Sequence, residues 1–117
     1  MQEFIDKLSN WYVRCGRERY WGSEFTEDKK SAYMTLWYVI TTYAKLSAPF
    51  TPFMSETIYQ NLVVSLNSDA VESVHLCNFP KADKASINLE LEKEMDLAYT
   101  LVKLGRSARN SANIKNR

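Results

Sequence analysis

LSNWYVRCGRERYW, residues 8–21, sets two tryptophans, two tyrosines and three arginines side by side. At a helical step of about 100° per residue, this segment and the residues before it resolve into two stripes. Phe4, Ile5, Leu8, Trp11, Tyr12 and Cys15 share one arc, with the i, i+3, i+4, i+7 spacing of a core-facing side. Lys7, Asn10, Arg14 and Arg17 share another, with Trp21 in line where the helix continues. The first stripe anchors the helix. The second turns an amide, several cations and an indole toward solvent, groups that suit the bases and phosphates of single-stranded RNA. An arginine-rich face is also the ordinary solvated side of a helix, and Trp and Tyr at helical spacing are ordinarily core. The pattern alone therefore defines a candidate surface and not a function.

Working outward, residues 1–20 read as the first helix, interrupted at Gly16 and ended by Gly22 and Ser23. The pattern is already running at Phe4 with no cap before it, which predicts that the native helix begins upstream. Thr26 is a good N-cap for a second helix, with Glu27 and Asp28 where the helix dipole favours acids. Tyr33, Leu36, Trp37, Ile40, Tyr43, Ala44 and Ser47 follow the helical period until Pro49 ends it. Thr51 and Pro52 restart a third helix in the N-cap and N1 positions, its face formed by Met54, Ile58, Leu62 and Leu66. Phe50 and Phe53 are expected to plug the corner between the two. Residues 67–69 read as a turn. Residues 73–80 are too short and too β-branched at their start for a helix, and predict an extended segment crossing the bundle. Asn88 caps a last helix whose inner face is Leu91, Met95, Ala98, Leu101, Val102, Gly105 and Ala108, and Gly105 suggests a close helix crossing. Residues 113–117 lose the pattern. The sum is an all-α, up-down bundle of four main helices with one extended crossover segment.

The bulk figures agree with one domain, or a piece of a larger protein: 117 residues, 45% of them apolar, with a net charge of +1. The charge is unevenly placed. Lys103, Arg106, Arg109, Lys115 and Arg117 follow one another with no acid between, whereas Asp83, Glu90, Glu92, Glu94 and Asp96 form an acidic stretch relieved only by Lys84 and Lys93. Such asymmetry points to a polyanionic partner more than the total does. Cys15 and Cys77 form no close-spaced pair, so two buried thiols in a reducing, cytoplasmic setting are expected. No apolar run approaches the roughly 20 residues of a membrane span. His75 is the lone histidine and lacks the neighbours a metal would need, so a structural or surface role is expected. There is no phosphate-binding glycine loop and no nucleophile, base and orienter set. Glu90, Glu92 and Glu94 alternate and cannot converge on one side of a helix. These absences favour a binding module over a catalyst.

At this point the residues resemble a known family, the anticodon-binding domain of isoleucyl-tRNA synthetases. The resemblance runs from Asn10-Trp11-Tyr12-Val13-Arg14 through Arg17, Arg19, Tyr20 and Trp21 to Asp28-Lys29-Lys30-Ser31-Ala32-Tyr33. It continues through Ala48-Pro49-Phe50-Thr51-Pro52-Phe53 and Ile58-Tyr59-Gln60-Asn61-Leu62. Ser73-Val74-His75-Leu76-Cys77 and Gly105-Arg106-Ser107-Ala108-Arg109-Asn110 complete it, so it covers nearly the whole chain. The Ala-Pro-Phe-x-Pro-Phe break is shared with the valyl and leucyl enzymes. The Asn-Trp-Tyr-Val-Arg and Ser-Val-His-Leu-Cys stretches are more particular to the isoleucine enzyme in its eukaryotic, archaeal and partly bacterial form. Cys15 stands where that family often has another Arg, and Asn78 where it often has Asp.

The resemblance implies a fragment, residues 1–117, of a larger class I ligase truncated at both ends. The parent would activate isoleucine with ATP and Mg, charge its tRNA and edit valine elsewhere. The His-x-Gly-His and Lys-Met-Ser-Lys-Ser signatures of that chemistry are absent here, so this piece is expected to hold no cofactor and to be inactive alone. It would be a cytoplasmic, monomeric, tRNA-reading part. In the related methionyl enzyme an Asn and an Arg one turn apart contact anticodon bases, and Asn10 and Arg14 stand in that relation. The tRNA-binding residues expected are thus Asn10, Arg14, Arg17 and Trp21, with Lys7 and Arg106 beside them. Arg109 is expected to pair with an acid instead. The competing readings are the equivalent domain of a valyl or other class Ia synthetase, and a helical protein-interaction module with Trp11 and Trp21 as anchors.

Overall fold

The computed structural model describes residues 1–115, and every regular element in them is helical. The loss of pattern expected at Asn116 and Arg117, and the cation at Arg117, lie outside the described residues. Met1–Ala82 form one compact unit and Asp83–Arg117 a second.

In the first unit the opening helix is not the single rod that its periodicity predicts. Helix α1 (Gln2–Lys7) passes directly into a π-helical segment, Leu8–Val13. Helix α2 (Arg17–Trp21) follows after a break at Gly16. A Cβ on Gly16 would stand 3.2 Å from the Tyr12 carbonyl oxygen and 3.3 Å from the Tyr20 ring, so the break is also a close approach. The π segment closes its turns over five residues rather than four, which slips the register of all that follows by about one residue. Tyr20 and not Cys15 therefore continues the anchored side: Tyr20 is buried, and Cys15 is exposed, against the expectation of a buried thiol. Tyr20 meets Tyr33 edge to face, with ring centroids 5.3 Å apart, and its carbonyl accepts the Tyr33 hydroxyl. Phe4 stacks on Tyr43 at 5.4 Å. These ring pairs lay the opening helices on helix α3 (Glu27–Ser47).

Helix α3 begins as its sequence requires, the Thr26 side chain accepting from the Lys29 N–H. Arg19 clamps its first turn with a bidentate pair to Asp28, at 2.7 and 2.8 Å. That hydrogen-bonded pair raises the Arg19 guanidinium and holds the Asp28 carboxyl below its usual range. Helix α4 (Pro52–Tyr59) starts with Pro at its first position, but Thr51 does not cap it. The Thr51 hydroxyl instead reaches the Ser47 carbonyl and Ser55 Oγ, each at 3.3 Å.

The corner between α3 and α4 differs from what the apolar pattern predicts. Phe50 and Phe53 are 75% and 89% exposed and plug nothing. The buried groups are Ala44, Ser47, Ala48 and Ser55, small enough for two helices to meet closely. The α4 face is displaced accordingly. Ser55 and Tyr59 turn inward, while Met54 and Leu66 are exposed. A second π-helical segment, Gln60–Val64, extends α4, and the Leu62 carbonyl accepts the Trp37 indole N–H of α3 at 2.8 Å.

The expected extended crossover contains a 3₁₀ turn, Val74–Leu76, with extended residues on either side. Glu56 on α4 fixes it. Its carboxylate accepts from the Gln60 amide at 2.8 Å, the Ser73 hydroxyl at 2.9 Å and the Val74 N–H at 3.0 Å, and His75 Nε2 lies 4.0 Å away. Val74 joins Ala48 and Tyr59 in the core, with Val63, Val64 and Cys77 against them. Hydrogen bonding with the Cys77 thiol, together with burial, pushes the Tyr59 hydroxyl up to about 12.

The second unit holds a 3₁₀ turn, Lys84–Ser86, and helix α5 (Leu89–Ser111), capped by Asn88 through the Leu91 N–H at 3.1 Å. None of the α5 residues is buried, and Leu91, Met95 and Leu101 are exposed, because within its own unit α5 meets no second long helix. Within the second unit a Cβ on Gly105 would meet nothing within 4 Å, so no close helix crossing forms there in that unit. Gly105→Ala should therefore stabilise α5 by about 0.5–1 kcal/mol, the helix propensity difference. Urea unfolding followed by helical circular dichroism would show the midpoint rising. A fall would reveal a neighbour at that position.

Candidate nucleic-acid interface

The slip introduced at Leu8–Val13 decides which side chains share the solvent side of the opening helices. Ser9, Val13, Arg14, Arg17 and Trp21 line one groove of about 370 Å³. Residues five apart in a π turn stack as residues four apart do in an α-helix, so Ser9 stands under Arg14. Trp21 is 68% exposed, and the Arg17 guanidinium lies over its ring, 4.8 Å from the centroid. That is cation–π distance. Among the described residues, neither Arg14 nor Arg17 has an acidic partner within salt-bridge distance. Two uncompensated cations beside an open indole make a surface fit for phosphate and for a planar base.

Three of the expected tRNA-binding residues, Arg14, Arg17 and Trp21, are thus brought together. Asn10 is exposed on the same helical run but does not line the groove, because the π turn substitutes Ser9 at that level. Lys7 is half-buried and paired with Glu3 at 3.4 Å, one helical turn away. Arg106 is exposed on α5, in the other unit. Arg19, although in the same basic run, is occupied by Asp28. Among the described residues Arg109 does not pair with an acid as expected; its Nη2 donates to the Lys115 carbonyl, beyond the end of α5. Trp11 is half-buried, which leaves Trp21 as the open indole of this run. Ser9 and Val13 are the groove residues that periodicity missed, since a uniform 3.6-residue period has no way to register a slip.

Among the described residues there is no cluster of three His, Cys, Asp or Glu side chains that could hold a metal ion. No described helix is long and apolar enough to cross a membrane. His75 is exposed and sits beside Glu56 on the 3₁₀ turn.

A helical chain with this basic, aromatic groove has the features of an RNA-reading helical domain, and comparison gives that class its family. The whole of residues 1–117 matches the model of the anticodon-binding domain of tRNA ligase, and the chain belongs to that family. Among curated proteins it is similar to an isoleucine–tRNA ligase of Clostridium novyi, 62% identical over 117 residues. It is 59% identical over 117 residues to one of Clostridium tetani. It is 50% identical over 115 residues to one of Dehalococcoides mccartyi. The first two matches span all of this chain and the third 98% of it, but each takes in only 11% of the relative.

Proposed function

We propose that this chain reads the anticodon loop of an isoleucine tRNA as one part of an isoleucine–tRNA ligase. The observation that supports this best is the pairing of unneutralised Arg14 and Arg17 with the open Trp21 in one groove, in a member of an anticodon-binding family. The similarity to isoleucine–tRNA ligases from several bacteria supports the amino-acid assignment. In this reading the chain works as a single copy in the cytoplasm. The activation of isoleucine with ATP and Mg belongs to other parts of the ligase, and no residue of this segment takes part in it.

The division of labour follows from the chemistry. Arg14 is the reader: its two-pronged guanidinium suits the O6 and N7 acceptors of a guanine. Asn10, exposed on the same helical run but outside the groove, can pair with a second base edge. Arg17 supplies charge for phosphate.

Arg14→Ala should weaken binding of the cognate tRNA by about 1–3 kcal/mol. It should scarcely affect a tRNA whose anticodon has been changed. Equal loss for both would make Arg14 a phosphate contact and remove the reading role. Binding should also fall steeply as salt rises from 50 to 200 mM, through release of condensed counterions. An apolar protein-docking surface would scarcely respond, so a flat salt dependence would favour the interaction-module reading instead.

A further inference from the structure

The groove has a second property, distinct from base reading by Arg14. We infer that it holds one unstacked nucleobase by stacking it on the Trp21 indole, with Ser9 Oγ as the hydrogen-bonding group at the base edge. This clamp rests on the RNA-reading proposal but adds to it a stacking site and a contact residue. Arg17 fixes the indole by lying over it at 4.8 Å, and the ring is still 68% exposed, so a broad apolar surface stays open to a planar ligand. The groove's volume of about 370 Å³ accommodates one base. Val13 gives it an apolar wall, and Arg17 offers its cation to the adjoining phosphate. Ser9 lies on the π-helical segment Leu8–Val13 and lines the same groove. Stacking on an aromatic ring tolerates any base, so the clamp would contribute affinity and Arg14 selectivity.

The test uses the full-length ligase, an isoleucine tRNA transcript, and transcripts carrying one abasic nucleotide at each anticodon-loop position in turn. Trp21→Leu should weaken binding of the intact transcript about tenfold to a hundredfold, and Trp21→Phe, which keeps an aromatic face, only a few-fold. With one of the abasic transcripts the Trp21→Leu loss should vanish, because the stacked base is already missing. Ser9→Ala should lose a few-fold on the intact transcript and nothing on that same abasic one. A Trp21→Leu loss that persists with every abasic transcript, or a Trp21→Phe loss as large as that of Trp21→Leu, overturns the clamp. If no abasic position weakens the unmodified protein, the anticodon-reading proposal itself falls. If abasic positions do weaken it while the Trp21→Leu loss stays constant, the clamp alone falls.

Discussion

Ser55→Leu is expected to destabilise the first unit by about 3 kcal/mol, the largest single effect foreseen for this chain. Ser55 is 0% exposed, and its Oγ lies 3.0 Å from Ser47 Oγ and 3.3 Å from Thr51 Oγ1. Ala44, Ser47 and Ala48 at the end of α3 are buried as well, small residues where α3 and α4 meet. An isobutyl group in place of a hydroxymethyl has no room there without moving a helix, a change that costs about 1–3 kcal/mol. The buried Ser47 hydroxyl also loses a partner, which adds about 1 kcal/mol. Ser55→Ala removes the hydrogen bonds without adding volume and should cost only about 1 kcal/mol. Urea midpoints of the two variants separate steric from polar contributions. A Ser55→Leu protein as stable as Ser55→Ala would mean that the corner is not close-packed.

Glu56→Ala is expected to cost about 2 kcal/mol. One carboxylate receives the Gln60 amide, the Ser73 hydroxyl and the Val74 N–H, so its removal releases the 3₁₀ turn from α4. Hydrogen bonds to a charged group contribute about 1.5–3 kcal/mol, and the side chain's 30% exposure places the net at the lower end. The same bonds, Gln60's first, hold the Glu56 carboxyl below its ordinary range, with the nearby His75 lowering it further. With the folded value depressed, the unfolded chain binds the proton more readily, so this stability is present above the ordinary glutamate value near pH 4.3. It is lost as the pH falls through the folded value. Unmodified protein should therefore lose more stability than Glu56→Gln on acidification below about pH 4.5. Parallel pH curves for the two would remove Glu56 from the account.

The candidate site is half legible in the amino-acid pattern. Arg14, Arg17 and Trp21 share an arc at the α-helical period, and they do line one groove. Asn10 and Ser9 exchange places because residues 8–13 carry no compositional mark of π hydrogen bonding. The same slip exchanges Cys15 for Tyr20 on the anchored side. Lys7 is placed on the basic stripe by angle alone, and angle says nothing of Glu3 one turn back. The composition is well suited to RNA, but only the pairing of Arg19 with Asp28 shows which arginines are already spoken for.

Local chemistry settled the helix starts from the sequence: Thr26 and Asn88 cap, Pro52 opens and Pro49 forbids continuation, each through backbone groups within a few residues. The all-α class, the family resemblance and the basic, aromatic character of the opening helices were equally local and equally readable. The corner at residues 48–55, by contrast, was decided by tertiary contact. Two large phenylalanines looked like the plug, yet helices crossing this closely leave space only for Ala and Ser, and the rings turn out to solvent. The groove was decided in the same way, since the rotation of one helical run relative to its own core depends on a one-residue slip that only packed coordinates reveal.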